Sequence, residues 1–347
     1  MVGGVAHRLG AHGGHLLEPQ GTAVKAMRVL VTGSSGYLGG QVVAKLAARG
    51  GFVVIALDVR APAHPLPGVI LETADIRGQA VDAIVARQRP DVVVHLASIV
   101  TPGKNSSREF EYSVDVDGTR NLLQACVRHG VRRIIVSSSG AAYGYHADNP
   151  EWLTESDPVR GNRSFAYAWH KRLVEEMLAK YRQQQPQLEQ VVLRIGTILG
   201  ATTHNQITAL FEKPRLIAVR GASSPFVFIH DHDVVGAIVH GISSPVTGIF
   251  NVAGDGKLNI DEIAARMGKR CLVLPAGLLF AALWLLKRLH LTQYGPEQLD
   301  FLRYRPVLDN RRLKQEFGYV PKRTSAEAFE LWRTAHAASA GIGATAP

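Results

Sequence analysis

Residues 27–40 read MRVLVTGSSGYLGG, and this stretch decides the fold class. Residues 28–31 form a short apolar run typical of a buried strand, and apolar residues recur at helical spacing over 38–47. A glycine-rich turn joins the two. In such a strand–turn–helix unit the glycines allow a tight turn and the close approach of a pyrophosphate, and the helix N-terminus offers free N–H groups. The stretch therefore predicts the phosphate cradle of a bound dinucleotide, although its G-x-x-G-x-x-G spacing differs from the common G-x-G-x-x-G.

The candidate cradle residues are Gly33, Ser35, Gly36, Tyr37, Leu38 and Gly39. A second apolar strand, residues 52–57, ends at Asp58, 19 residues after Gly39. An acidic side chain there accepts hydrogen bonds from ribose hydroxyls and repels a 2′-phosphate. The sequence therefore favours NAD over NADP, although Arg60 would soften that repulsion.

Strands and helices alternate along the first 200 residues. Further strands are predicted at 69–72, 91–97, 133–136 and 190–195, and helices at 80–89, 110–129 and 163–184. This alternation predicts an α/β fold, a Rossmann-type doubly wound parallel sheet. Beyond residue 200 strands are expected at 226–229 and 249–252, and helices at 234–242, 260–267, 278–289 and 311–317, as a smaller C-terminal α/β lobe.

Four segments follow from this pattern. They are a disordered leader (1–26), a dinucleotide-binding domain (27–200), a mainly substrate-binding lobe (201–335) and a flexible tail (336–347). The leader has no apolar core of the kind found in secretory signals. Cys126 and Cys271 are too few and too far apart for a disulfide framework or a zinc site, so a reducing cytoplasm is the expected location.

The formal net charge is +10, but lysines and arginines are scattered rather than grouped, which argues against a nucleic-acid partner. Residues 276–286, AGLLFAALWLL, form the most apolar segment, with about half the length needed to span a bilayer. We expect a buried or interface helix there. A wall for a lipophilic substrate and a membrane-surface contact of 276–288 beside Lys287 and Arg288 are the less favoured alternatives.

Tyr167 and Lys171 lie four residues apart, on one face of a predicted helix. A neighbouring ammonium stabilises a phenolate, so the pair is suited to proton exchange with an alcohol oxygen. Ser139 ends the serine run that follows the fifth strand, where hydroxyls face the ligand crevice of such sheets. These three residues are the candidate catalytic groups, although serines there also initiate turns.

The motifs together resemble the extended short-chain dehydrogenase/reductase family, and more narrowly its NAD-dependent epimerase/dehydratase group. The resemblance is carried by TGSSGYLG, the Asp58 strand end, Asp75-Ile76, HLAS (95–98), DVDGT (115–119), SSSGAAYG (137–144), YAWHK (167–171), FIHDHDV (228–234) and FNVAG (250–254). The 3β-hydroxysteroid dehydrogenase-like enzymes are near relatives of this group.

The resemblance implies roles for individual residues. Tyr167 would be the catalytic acid/base, Lys171 would bind the nicotinamide ribose and lower the tyrosine pKa, and Ser139 would orient the substrate oxygen. It also implies a homodimer formed through helices 110–129 and 163–184, and no metal, with His230 to Asp233 structural. The further cofactor contacts that it implies are Asp75, Ile76, Leu96, Ala97, Ser98 and Ser137.

Three departures from the family pattern bear on the substrate. Asp115 replaces the usual asparagine, IGTILGA follows Arg194 in place of NVYGP, and Phe226 stands where sugar-nucleotide members carry an arginine that meets the diphosphate. The missing arginine weakens a nucleotide-sugar assignment. With the apolar 276–286 segment, it keeps a lipophilic hydroxy or keto substrate open.

The expected function is hydride transfer between nicotinamide and a secondary alcohol or ketone carbon, with a nucleotide sugar the favoured substrate. A 3β-hydroxysteroid dehydrogenase-like activity is the alternative, and a non-enzymatic dinucleotide sensor is a minor one. The residues do not choose between an epimerase and a dehydrogenase.

Overall fold

The computed structural model describes residues 1–4, 25–103, 106–289, 291 and 295–339. Most of the expected leader and the end of the expected tail lie outside these residues.

The strands of the described chain are parallel to every strand with which they pair. They are β1 (Met27–Thr32), β2 (Phe52–Asp58), β3 (Ile70–Thr73), β4 (Val92–His95), β5 (Arg133–Ser139), β6 (Glu189–Ile195), β7 (Thr197–Leu199), β8 (Arg215–Val219), β9 (Phe228–His230), β10 (Gly248–Val252) and β11 (Arg270–Leu274). Seven of them form one sheet in the order β10-β6-β5-β4-β1-β2-β3. This order confirms the doubly wound parallel sheet and puts its switch point, where ligands bind in such folds, between β1 and β4.

The α-helices are α1 (Tyr37–Arg49), α2 (Ala80–Gln88), α3 (Arg108–Tyr112), α4 (Gly118–Arg128), α5 (Ala166–Gln184), α6 (Gln206–Phe211), α7 (Asp231–Ser243), α8 (Ile260–Arg266), α9 (Ala276–Arg288), α10 (Gln298–Arg303), α11 (Arg311–Gln315) and α12 (Ser325–Ser339). A π-helical turn, Ser113–Asp117, joins α3 to α4, so the long helix predicted over 110–129 is interrupted. The final helix includes 336–339, which the sequence analysis assigned to the tail.

Apolar residues alternate between the two faces of the sheet, as a strand covered on both sides requires. In β1, Val29 and Val31 pack in one core with α1 and α7, whereas Leu30 packs in the opposite core with α2, α4 and α5. The helices thus cover both faces.

The chain beyond residue 200 contributes to both the main sheet and a smaller lobe. β10 returns to the sheet as its edge strand beside β6. Helices α7 and α11 also pack against the main sheet. Other segments, including α6, α10, α12, β8 and β11, which the sequence patterns did not predict, surround an aromatic core. That core contains Phe211, Phe226, Phe228, Phe329 and Trp332.

Helix α9 contradicts the buried alternative predicted for 276–286, and the interface alternative stays a prediction. Leu279 is its only buried residue, and the side chains of Leu278, Phe280 and Trp284 are about half exposed. Nor does α9 form a substrate wall, because no residue from 276 to 288 lines the central cavity described below. Among the described residues, no helix has the length and apolarity to cross a bilayer.

Candidate active site

The carboxyl ends of β1, β4, β5 and β6 open onto a cavity of about 800 Å³. The smaller lobe closes its other side. Many of the predicted site residues line this cavity together, and they come from α1, β5, α5 and the loops that follow β1 and β4. They are Gly33, Gly36, Tyr37, Leu38, Gly39, Leu96, Ser98, Ser137, Ser139, Tyr167 and Lys171.

The glycine turn is packed too closely for side chains. Gly33 has φ +69°, and a Cβ there would lie 2.7 Å from the Ala97 backbone nitrogen. A Cβ on Gly39 would lie 2.0 Å from the Gly33 carbonyl oxygen. The glycines therefore let the turn and the first residues of α1 pack directly against neighbouring backbone. A turn of this shape at a helix N-terminus fits a bound pyrophosphate.

Five predicted cofactor residues, Ser35, Asp58, Asp75, Ile76 and Ala97, do not line the cavity. The Asp58 carboxylate closes the end of β2 beside the turn, where it accepts hydrogen bonds from the backbone nitrogens of Ser35 (3.0 Å) and Arg60 (3.3 Å). Ser35 is exposed and donates its hydroxyl hydrogen bond to the Arg60 carbonyl.

Asp75 is held by the Arg77 guanidinium at 2.9 Å, and this hydrogen bond keeps the pKa of Asp75 below its ordinary value. Ile76 is buried against Gly118, whereas the Ala97 backbone nitrogen donates to the Thr32 hydroxyl.

Helix α5 places Tyr167 and Lys171 one turn apart in the cavity wall. The Lys171 ammonium lies 5.5 Å from the centre of the Tyr167 ring and donates a 2.9 Å hydrogen bond to the Ser137 carbonyl. Burial raises the pKa of Tyr167 to about 12, and the Ser139 hydroxyl opposes part of that shift. The lowered tyrosine pKa expected from Lys171 is therefore not found in the protein alone, because burial dominates.

Asp115, the departure from the family asparagine, is buried under the cavity. One carboxylate oxygen accepts hydrogen bonds from the Ser98 hydroxyl and the Ile99 backbone nitrogen, both at 2.9 Å, and the other lies 3.1 Å from His170 Nδ1. Burial alone would raise its pKa, but His170 and Lys171 hold the pKa of Asp115 below its ordinary value. The substitution thus links residues 98–99 to α5 through a buried charge.

His95, the last residue of β4, connects β4 to the end of β1 and to α4. Its ring nitrogens lie 2.8 Å from the Thr32 hydroxyl and 2.9 Å from the Thr119 hydroxyl. Burial, aided by Lys171, lowers the pKa of His95 to about 3. The imidazole is therefore neutral at physiological pH.

Arg305 is a functional candidate that no sequence pattern predicted. Arg305 is part of the cavity wall, and its guanidinium packs 4.2 Å from the ring centre of Phe226 and 3.9 Å from that of Phe301. It is buried, its Nε and Nη2 atoms have no hydrogen-bond partner among the described residues, and burial lowers the pKa of Arg305 to about 10. No local motif surrounds it, so only its position in the fold distinguishes it.

Aromatic residues form the cavity wall beside Arg305. The rings of Phe165 and Phe301 stack with centres 5.4 Å apart, and Tyr145 meets each of them edge-on. This wall suits a flat ring in the bound molecule.

The carboxylates of the 228–234 segment are engaged within the fold. Asp231 accepts hydrogen bonds from the Tyr37 hydroxyl and from Gln41, which fastens the glycine turn to α7. Asp233 accepts from the Tyr319 hydroxyl and the Lys322 backbone nitrogen. These contacts support the structural role expected of the segment, and the absence of a metal stays a prediction.

Comparison with known proteins agrees with this geometry. The NAD dependent epimerase/dehydratase family matches residues 29–253. An uncharacterized Mycobacterium tuberculosis protein is 27% identical over 308 residues, which cover 87% of this chain and 82% of that protein. The UDP-glucose 4-epimerase of Erwinia amylovora is 31% identical over 192 residues, 52% of this chain and 56% of that protein.

Among solved structures, the UDP-glucose 4-epimerase of Thermus thermophilus in complex with NAD is similar with a TM-score of 0.68 and 26% identity. The similarity covers 89% of this chain and 98% of that one. The family match and this complex confirm the predicted enzyme class and the predicted cofactor, NAD. The chain belongs to the NAD-dependent epimerase/dehydratase family.

Proposed function

We propose that this protein is an NAD-dependent epimerase that acts on a nucleotide sugar. The observation that carries the substrate class is the buried Arg305 in the cavity wall. A buried cation without a counter-ion is costly, so a site that keeps one is suited to an anionic ligand. The diphosphate of a nucleotide sugar supplies that charge.

The absent family arginine at Phe226 therefore does not argue against a nucleotide sugar. Arg305 supplies a guanidinium against the Phe226 ring from another segment. The aromatic wall of Tyr145, Phe165 and Phe301 would then lie beside the base or the sugar.

The cofactor site in this proposal combines the glycine turn with the strand ends. The backbone of 33–39 would hold the pyrophosphate of NAD, Asp58 the adenosine ribose and Lys171 the nicotinamide ribose. Asp75 and Ile76 would flank the adenine, and residues 96–98 and Ser137 would border the rest. Bound NAD supplies a hydride acceptor.

The remaining chemistry belongs to the side chains of this chain. Tyr167 takes the proton of the substrate hydroxyl as the carbon is oxidised, and Lys171 stabilises the phenolate while it exists. Ser139 orients the substrate oxygen through its hydroxyl. When the carbon is reduced again on its opposite face, Tyr167 returns a proton to the oxygen, so no net oxidation results.

A lipophilic hydroxy or keto substrate is the second candidate, because the aromatic wall would also accept a steroid ring. The two are separated by incubating the protein and NAD with UDP-glucose, UDP-galactose and hydroxysteroids, with chromatography of the sugars and NADH absorbance as readouts. We expect interconversion of sugar epimers without NADH accumulation. Steroid oxidation with no change in any nucleotide sugar would establish the second candidate, and NAD binding without turnover of any compound would establish a sensor.

A further inference from the structure

Helix α9 presents an apolar surface to solvent. Leu278, Phe280, Trp284 and Leu285 are each about half exposed, and Leu289 continues the row just after the helix. The helix rests on the lobe through Leu279 and Leu283. Large apolar side chains exposed together on one helix mark an interaction site.

The strand that leads into α9 is also exposed and apolar. In the β8–β11 pair, Ile217 and Leu272 are register partners with 41% and 40% of their surface exposed, and Val273 is 50% exposed. Pro275 connects this strand directly to α9. The apolar surface thus continues along the chain from the two-stranded sheet to the helix.

Most of the charges that flank this surface are positive. Residues 268–296 contain Lys269, Arg270, Lys287 and Arg288 but no aspartate or glutamate, and of these four Lys287 is paired with Glu297. Arg270 is the register partner of Arg215; both are exposed, and neither forms an ion pair with a described residue.

An apolar helix with a basic border suits the headgroup region of an anionic bilayer. Trp284 adds an amphipathic ring of the type that prefers this region, and Arg288 lies 5.7 Å from its centre. With 13 residues the helix is too short to cross a bilayer. A second copy of the chain is a poorer partner, because an isologous contact would bring the same positive border against itself.

We propose that α9 and the adjoining β8–β11 edge dock this protein on the surface of membranes that contain anionic lipid. The docked helix would lie parallel to the membrane plane. Its inner side contacts α10, which carries Phe301 of the cavity wall, and Lys287 pairs at 2.9 Å with Glu297, the residue before α10. Helix α10 thus contacts both α9 and the candidate active site.

Flotation of the full chain with vesicles tests the proposal. We expect co-flotation with phosphatidylcholine vesicles that contain phosphatidylglycerol, and about tenfold less bound protein when the vesicles are phosphatidylcholine alone. The double variant Phe280→Glu/Trp284→Glu should lose binding without loss of fold, since both side chains are exposed. Val320→Glu is the matched control, because Val320 is 64% exposed elsewhere on the protein.

Charge-reversal variants measure the electrostatic contribution to vesicle binding separately from the apolar one. Arg215→Glu/Arg270→Glu should lower binding to the anionic vesicles about tenfold, and the wild-type protein should lose binding as salt is added. Failure of the wild-type chain to float at low salt, or equal flotation of the Phe280/Trp284 variant, would overturn the proposal. So would a dimer in sedimentation that the same variant converts to a monomer without any vesicle binding, because a second copy would then cover the surface.

Discussion

The guanidinium of Arg305 lies 4.2 Å from the ring centre of Phe226. Phe226 stands where the resembled sugar-nucleotide enzymes have an arginine, so the cation expected at that position reaches the cavity from a different segment. The replacement leaves a positive charge in a buried, aromatic setting that favours an anionic ligand.

Replacing Arg305 by methionine should weaken the binding of UDP-sugars and of UDP itself. A hydrogen bond to a charged group contributes about 1.5–3 kcal/mol, so we expect the Kd to rise about tenfold to a hundredfold. Calorimetric titration measures this change, with the exposed Arg49→Met as the control. The unliganded protein should not lose stability, because the substitution removes a buried charge whose Nε and Nη2 atoms have no hydrogen-bond partner among the described residues. Unchanged UDP affinity would contradict the diphosphate role.

Replacing Tyr167 by phenylalanine should abolish the proton transfer and leave the cavity shape intact. General acid–base groups contribute about a hundredfold or more, so turnover should fall by at least that factor while NAD binding stays near wild type. Steady-state kinetics and fluorescence titration with NAD provide the two measurements. Tyr181→Phe, on the same helix but outside the cavity, is the control. Substantial activity in the Tyr167 variant would refute its catalytic role.

Replacing Asp115 by asparagine should shift the alkaline limb of the activity profile to lower pH. Burial lowers the pKa of Lys171, and the Asp115 charge opposes that shift. Without this charge the lysine loses its proton at lower pH, and with it the ability to stabilise the Tyr167 phenolate. The dependence of kcat/KM on pH records the shift. Asp117→Asn, at an exposed pair with Arg120, should leave the profile unchanged, and a shift to higher pH in the Asp115 variant would contradict the argument.

The stability of the protein should fall below neutral pH because of His95. Its pKa is about 3 in the folded state against 6.5 for an unperturbed histidine, so the unfolded chain binds the proton more readily between these values. The stability contribution is fully present above pH 6.5 and is lost as the pH falls toward 3, with a slope of up to about 1.4 kcal/mol per pH unit. Urea unfolding at a series of pH values measures this slope. His95→Gln should flatten it, and an unchanged slope would assign the effect to other groups.

Local patterns in the sequence were sufficient to predict much of the fold. The strand–turn–helix of 27–49 and the parallel alternation of strands and helices follow from period and glycine placement, which depend on neighbouring residues. The candidate catalytic residues also follow from local pattern. Ser139 was identified by its place at the carboxyl end of a parallel strand, and Tyr167 and Lys171 by their helical spacing. The structure brings these three residues to one cavity.

Other features depended on contacts between distant segments. The Tyr167 pKa could not be read from its spacing to Lys171, because burial by the whole cavity wall outweighs one neighbouring ammonium. The return of β10 to the main sheet and the exposure of α9 were likewise decided by packing, since an apolar run has the same local pattern whether or not another element covers it.

The sequence by itself therefore determined the dinucleotide-binding sheet and the three candidate catalytic residues, because short-range pattern encodes them. Only the tertiary structure placed Arg305 against Phe226 and left α9 uncovered. The Arg305–Phe226 contact and the exposure of α9 both depend on how the smaller lobe packs against the sheet. That packing is determined by residues distributed over the whole chain.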